Sequence, residues 1–447
     1  MPDFIADITI KKTRPGRVAY LNARLLDPES RMDVVGGVLT EGESIAAVGP
    51  DVAGDRLGEG VELIDCSGLC LAPGLIDLRA HLREPGFEHK ETIATGSRSA
   101  AVGGVSTVVC MPSTEPPIDD VSLVHFIERR ARETAIVKVY PIAALTRGRR
   151  GEHLTEIGLL REAGALAFSD GLNTVMNAMV LRRAMSYSTI FDALIINHAE
   201  DLNLSGSGQM NSGETSTRLG LSGMPAESEA IMAARDVRLA EMTGARLHLA
   251  HLTTAEGIDV VRRAKARGHK VTCDTAPHYF ALNETAIGDY RTFAKVRPPL
   301  RGESDRQAVV AGLADGTIDA IVSDHAPHDQ DSKRQPFAQA AFGVVGLETL
   351  LPLTLELVHN RHLGLLDALA LLTHRPAALM GLNAGRLAPG RPADLVVFDL
   401  DRPWQIDRRA LQSKSKNSPF DGRPVQGRAV RTVVTGRTVF LLGGAGA

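Results

Sequence analysis

The chain has 447 residues, 44% of them hydrophobic and 23% charged, and a formal net charge of −3. A chain of this size can bury one large core and a smaller one, and its near balance of charge excludes a dedicated nucleic-acid or acidic-membrane binder. No apolar stretch approaches the ~20 residues of a membrane-spanning helix, and Met1-Pro2-Asp3-Phe4 has no basic segment leading into an apolar run. Four cysteines (Cys66, Cys70, Cys110, Cys273) are too few for a disulfide scaffold. Cys70 and Cys110 stand in apolar runs, as buried reduced thiols of a cytoplasmic protein do. Cys66 and Cys70 lack the second cysteine pair of a structural zinc site.

In chain order, residues 18–26, 35–40 and 44–48 read as short strands separated by turn residues such as Asp27-Pro28-Glu29 and Glu41-Gly42. From residue 75 the pattern changes to strands alternating with helices. Apolar runs at 75–82, 105–111, 137–144, 165–169, 193–198, 246–252, 270–274 and 318–323 read as strands, and the periodic segments 123–132, 227–243 and 255–265 as helices. Eight such repeats predict a (β/α)8 barrel. The style of the first strands returns at 393–399 and 425–439, and the Gly-rich tail 443–447 reads as a frayed end.

Polar residues fall at telling places on this pattern. In the first barrel strand Asp77, Arg79 and His81 recur at period two, which predicts that they share a face. His81, Asp170, His198, His251 and Asp324 each follow a different apolar run at its carboxyl end, the face on which barrel enzymes build their sites. A single histidine or aspartate at a strand end is usually a satisfied polar group or a helix cap. Five at the same end of one barrel point instead to a site, with imidazole nitrogen and carboxylate oxygen as zinc-type ligands. His248 and His251 stand three apart, so a continuous strand would send them to opposite sides and only one to the mouth.

The run from Pro73 to Gly86, PGLIDLRAHLREPG, resembles the metal-binding signature of the amidohydrolase superfamily. Its Leu82-Arg83-Glu84-Pro85-Gly86 end resembles class I dihydroorotase, as does Ser323-Asp324-His325-Ala326-Pro327-His328. Further likenesses at 342–349 and 415–420 extend the resemblance over nearly the whole chain. The family implies a TIM-type barrel at 71–387 and a small β-sandwich formed by both termini, 1–70 and 388–447. It implies zinc-dependent, reversible hydrolysis of dihydroorotate to N-carbamoyl-L-aspartate in pyrimidine biosynthesis, by a cytoplasmic homo-oligomer. Carried over by position, the metal would be held by His81, Asp170, His198, His251 and Asp324. Asp324 would also move the proton, and Arg83, Ser113 and His328 would bind substrate.

Several positions depart from the family pattern. Arg79 replaces the first histidine of His-x-His, and a guanidinium offers no lone pair to a metal. The expectation is therefore one zinc per chain rather than two. No lysine stands where hydantoinase-type relatives carry a carbamylated one, and Asp170 is followed by Gly171 where dihydroorotases have a second aspartate. Ser113 and Arg297 each replace an asparagine of the family's substrate-side motifs. Two alternatives follow. One is a catalytically silent dihydroorotase-like scaffold for aspartate carbamoyltransferase. The other is a different cyclic amidohydrolase, a hydantoinase or allantoinase, which the Arg83 segment and the pairing of Arg83 with His328 disfavour.

Overall fold

The computed structural model describes residues 16–54 and 57–443. The reading of Met1–Phe4 and that of the tail after 443 lie outside them. Strand β1 (Arg17–Asp27) turns back into β2 (Met32–Glu41), and β2 into β3 (Ser44–Gly49). The first turn is held by Asp27, whose carboxylate accepts from the Ser30 backbone N–H and hydroxyl; the second uses Gly42 at φ 60°. Then β4 (Val61–Asp65) and β5 (Cys70–Pro73) both pair parallel to β1.

The barrel strands follow in order: β6 (Leu75–Ala80), β7 (Val105–Cys110), β8 (Lys138–Pro141), β9 (Ala167–Phe168) and β10 (Leu194–His198). A small parallel ribbon of β11 (Met210–Asn211) and β12 (Gly223–Met224) intervenes. The barrel resumes with β13 (Arg246–Ala250), β14 (Val271–Thr275) and β15 (Ala320–Ile321). Pairing is parallel throughout. Bridges between Ala143 and Phe168, and between Ala80 and His325, join the two arcs into a ring. All eight expected strands are present, and most are shorter than the apolar runs that announced them.

One cluster gathers Ile76, Val109, Ile142, Ala167, Ile196, Ala250 and Val322, side chains from around the ring that can meet only inside it. The helices lie outside, as at Val121–Thr134, Glu227–Thr243 and Ala255–Ala266. Each of two begins on a side-chain cap, Asp120 accepting from the Ser122 N–H and Thr254 from that of Gly257. The chain then returns through β16 (Leu395–Gln405), β17 (Pro424–Val434) and β18 (Arg437–Leu441). These join the first strands in the order β18-β17-β16-β5-β1-β2-β3, with β4 beside β1. Strands from both ends of the described chain thus share one sheet of eight strands beside the barrel. All four cysteines are free and buried, and among the described residues no helix is long and apolar enough to cross a membrane.

Candidate active site

The residues that leave the barrel strands do so abruptly. Arg83, His251 and Asp324 have φ of 62°, 56° and 45°. Non-glycine residues reach this left-handed region at a cost of about 1–2 kcal/mol each, and such positions cluster at functional sites. The turn at His251 also ends the strand period: β13 stops at Ala250, so His248 and His251 do not diverge as a continuous strand would require. Both meet Asp274, His248 Nε2 lying 2.9 Å from Oδ2 and His251 Nδ1 3.0 Å from Oδ1.

Asp324 is the hub. His251 Nε2 lies 3.0 Å from its Oδ1, Arg79 Nε 3.4 Å from the same oxygen, and His278 Nε2 3.6 Å from Oδ2. Burial alone would raise this carboxyl, but His251, Arg79 and His278 outweigh it and hold it below the usual carboxylate range. His251 is correspondingly raised: burial opposes its charge, yet Asp324 and Asp274 prevail. The common face expected for Asp77, Arg79 and His81 breaks up, because β6 changes register between Asp77 and Ala80. Asp77 accepts from the Ser323 backbone N–H and hydroxyl at 2.7 and 2.6 Å, while Arg79 reaches Asp324. His81, whose backbone N–H donates to His325 O, is driven well below its ordinary value by burial and then by Arg83 and Arg79.

Two further groups are closed on protein partners. His198 Nε2 lies 2.8 Å from Glu200, which Arg297 grips with both arms at 2.8 and 2.7 Å. Asp170 accepts from the backbone N–H groups of Leu145 and Thr146, each at 3.0 Å, and from the Thr146 hydroxyl. Its carboxyl is nonetheless raised, because burial outweighs those bonds. Ser113 accepts from Arg149 at 3.0 Å. At the rim Arg83 donates to Pro327 O at 3.2 Å and stands 3.2 Å from His328 Nε2. Burial, with Arg83 and Lys90 adding to it, lowers His328 to about 2, so its ring is neutral. Asn417 fixes this rim, accepting from the His328 N–H and donating to Ala326 O and Gly343 O.

The chain resembles known proteins over most of its length. Residues 68–257 match the family described as dihydro-orotase-like, and 314–440 the amidohydrolase family. The dihydroorotase of Anaplasma phagocytophilum is 48% identical over 427 residues, covering 95% of each chain. That of a Wolbachia from Drosophila simulans is 49% identical, over 95% of this chain and 96% of the other.

The chain belongs to the dihydroorotase-like family of amidohydrolases.

Solved structures agree on the fold. The L-hydantoinase of Arthrobacter aurescens superposes with a TM-score of 0.87 at 25% identity, over 96% of this chain and 97% of the other. The dihydropyrimidinase of Brevibacillus agri gives 0.83 at 22% identity, over 96% and 95%.

Family membership raises the question of a metal. His81 Nδ1, His198 Nδ1, His278 Nε2 and Arg79 Nη2 are buried without a hydrogen-bond partner, so polar capacity is left open in this region. The donor set is nevertheless wrong for a cation. Asp324 is already paired with Arg79, and Asp170 is filled by three protein donors. Among the described residues no three histidine, cysteine, aspartate or glutamate side chains gather in a way that could hold a metal ion. As placed, the residues do not fit the centre that the resemblance implied.

The sequence reading missed Asp274 and His278 and gave Asn417 no role. Asp274 satisfied the rule that selected the others, an acid at the carboxyl end of a barrel strand. Asn417 lies in a segment already noted as family-like, and His278 carried no signal beyond following that strand.

Proposed function

We propose that the chain is a dihydroorotase, hydrolysing the ring amide of dihydroorotate to N-carbamoyl-aspartate and catalysing the reverse closure. The observation that carries this reading is Asp324, a buried carboxylate kept charged at the barrel mouth, in a chain 48% identical to dihydroorotases over 95% of its length. Arg83 suits a carboxylate of the substrate, having a guanidinium edge to spare beyond Pro327 and His328. Neutral His328 offers a hydrogen bond beside it, and Ser113, held by Arg149, is taken as the further substrate contact that the family resemblance implies. Asp324 takes a proton from water as the water oxygen bonds to the ring carbonyl carbon. The carbon–nitrogen bond then breaks and that proton passes to the leaving nitrogen, so that atoms balance.

Family members generally depend on a metal ion. The finer expectation, one zinc on His81, Asp170, His198, His251 and Asp324, finds no gathered donor set, and no step here runs through it. The same reading treats 1–70 with 388–447 as one β unit beside a barrel of 71–387, in a self-associating cytoplasmic enzyme.

One observation favours a second reading. Two of the departures, Arg79 and Arg297, neutralise acids at the mouth, Asp324 and Glu200, as a silent scaffold for aspartate carbamoyltransferase would tolerate. The deciding experiment is dihydroorotate turnover by the purified chain, alone and mixed with aspartate carbamoyltransferase. Turnover in either arm is expected. None in both would reject the enzyme and leave the scaffold.

A further inference from the structure

We infer that Arg79 occupies the place of a divalent cation in this site, so that the folded chain holds Asp324 in position without taking up a metal ion. The inference rests on family membership, not on turnover. Arg79 is 2% exposed, and a guanidinium carries only donors, with no lone pair to offer a metal. Nε faces Asp324 Oδ1 at 3.4 Å, Nη1 lies 3.9 Å from Met111 Sδ, and Nη2 is buried with no partner. A cation arriving at Asp324 must compete for an oxygen that Arg79 and His251 already share. It would also leave the guanidinium buried, unpaired and beside a like charge, which burial makes expensive.

The neighbouring groups are arranged consistently with this. Asp170 is consumed by backbone and hydroxyl donors between β8 and β9, a use suited to holding two strand ends together. Glu200 ties His198 Nε2 to Arg297, which fixes the ring from the protein side while its Nδ1 stays unpartnered. Three arrangements therefore supply internally what a metal would otherwise supply: charge for Asp324, donors for Asp170, and an anchor for His198. The unpartnered Nη2 is left as a cationic donor for an oxygen of a bound ligand, such as the carbonyl of a cyclic amide.

The test measures metal in the full-length protein and needs no catalysis. Zinc, manganese and iron are quantified in the dialysed native chain, and its melting temperature is taken with and without a strong chelator. Zinc is then titrated calorimetrically into the native chain, Arg79→His and Arg79→Gln. The expected result is well under one equivalent of metal and an unchanged melting temperature. Zinc binding by Arg79→His should be on the order of 10²-fold tighter than native, as removal of a like charge at contact distance allows. About one equivalent or more in the native chain, with a melting temperature that falls on chelation, would overturn the inference. So would variants that fold and bind zinc no better than native. Should neither variant fold, the native metal content alone decides. Turnover with stoichiometric zinc would sink this inference and keep the proposed function; no turnover and no zinc would do the reverse.

Discussion

Glu348 is a buried carboxyl whose charge the fold tolerates poorly. Its Oε1 accepts from the Ser99 hydroxyl and from the backbone N–H groups of Gln412 and Ser413, yet burial still raises it to about 7. The folded chain thus holds this proton more tightly than the unfolded one. Stability should fall as pH rises from the ordinary glutamate value toward 7 and stay level above it, a difference of up to about 3 kcal/mol. Glu348→Gln keeps the accepting oxygen and removes the charge, so it should raise the melting temperature at pH 8 and flatten that slope. A variant with the native pH profile would refute this reading of Glu348. At the rim, Arg83→Lys preserves charge but loses the fork. We expect KM for dihydroorotate to rise by about tenfold with kcat little changed, measured by steady-state kinetics. Polar residues of this kind were legible where they fell at a strand end or just past one, as His198 and Asp324 do. Their partners were not, because pairing across the barrel, such as Arg79 with Asp324 or Glu200 with Arg297, leaves no mark in linear spacing.

Among elements, the eight barrel strands were readable because apolar runs bounded by turn residues recur with helices between them. Their lengths were not. The run at 318–323 yields only Ala320–Ile321 as a paired strand, since the residues beyond it turn away to bind Asp77 and to aim Asp324. His251 shows the same effect, a left-handed residue ending the alternation on which the sequence argument relied. The segment 336–343 depends on lysines that spacing could not assign. Lys295 donates to Phe337 O and Ala338 O, and Lys333 to Ala341 O and Gly343 O. Gly343 O also receives Asn417, so this segment supports the rim that carries His328. Lys333→Met fills similar space and removes both bonds. Backbone hydrogen exchange over 336–343 should quicken by about tenfold or more while the barrel strands stay protected. Equal protection in the variant would mean that the lysine is not what holds the segment.

Across the whole molecule the charge is unevenly spread. The net charge is −3, yet a cavity of about 610 Å3 beside His328 is lined by Arg291, Lys333, Arg334, Arg408, Arg409 and Lys416 against the single carboxylate of Asp329. Such a field favours the entry of anions and is screened by salt. N-carbamoyl-aspartate carries two carboxylates and dihydroorotate one. Added salt should therefore lower kcat/KM more steeply for the former, and equal slopes would remove the cavity from the path of substrate. The shared strand style of the two ends was legible, while their joining came from the family resemblance; the closed ring was legible from the count of repeats. The inward pairing of the site was not, because it arises only when eight strand ends are brought together. Comparing dihydroorotate turnover by the native chain and by Asp324→Asn tests the central claim most directly. The substitution keeps the shape of the side chain and removes the base, so turnover should fall by about 10²–10⁴-fold. Native turnover that survives Asp324→Asn unchanged would contradict both the mechanism and the site.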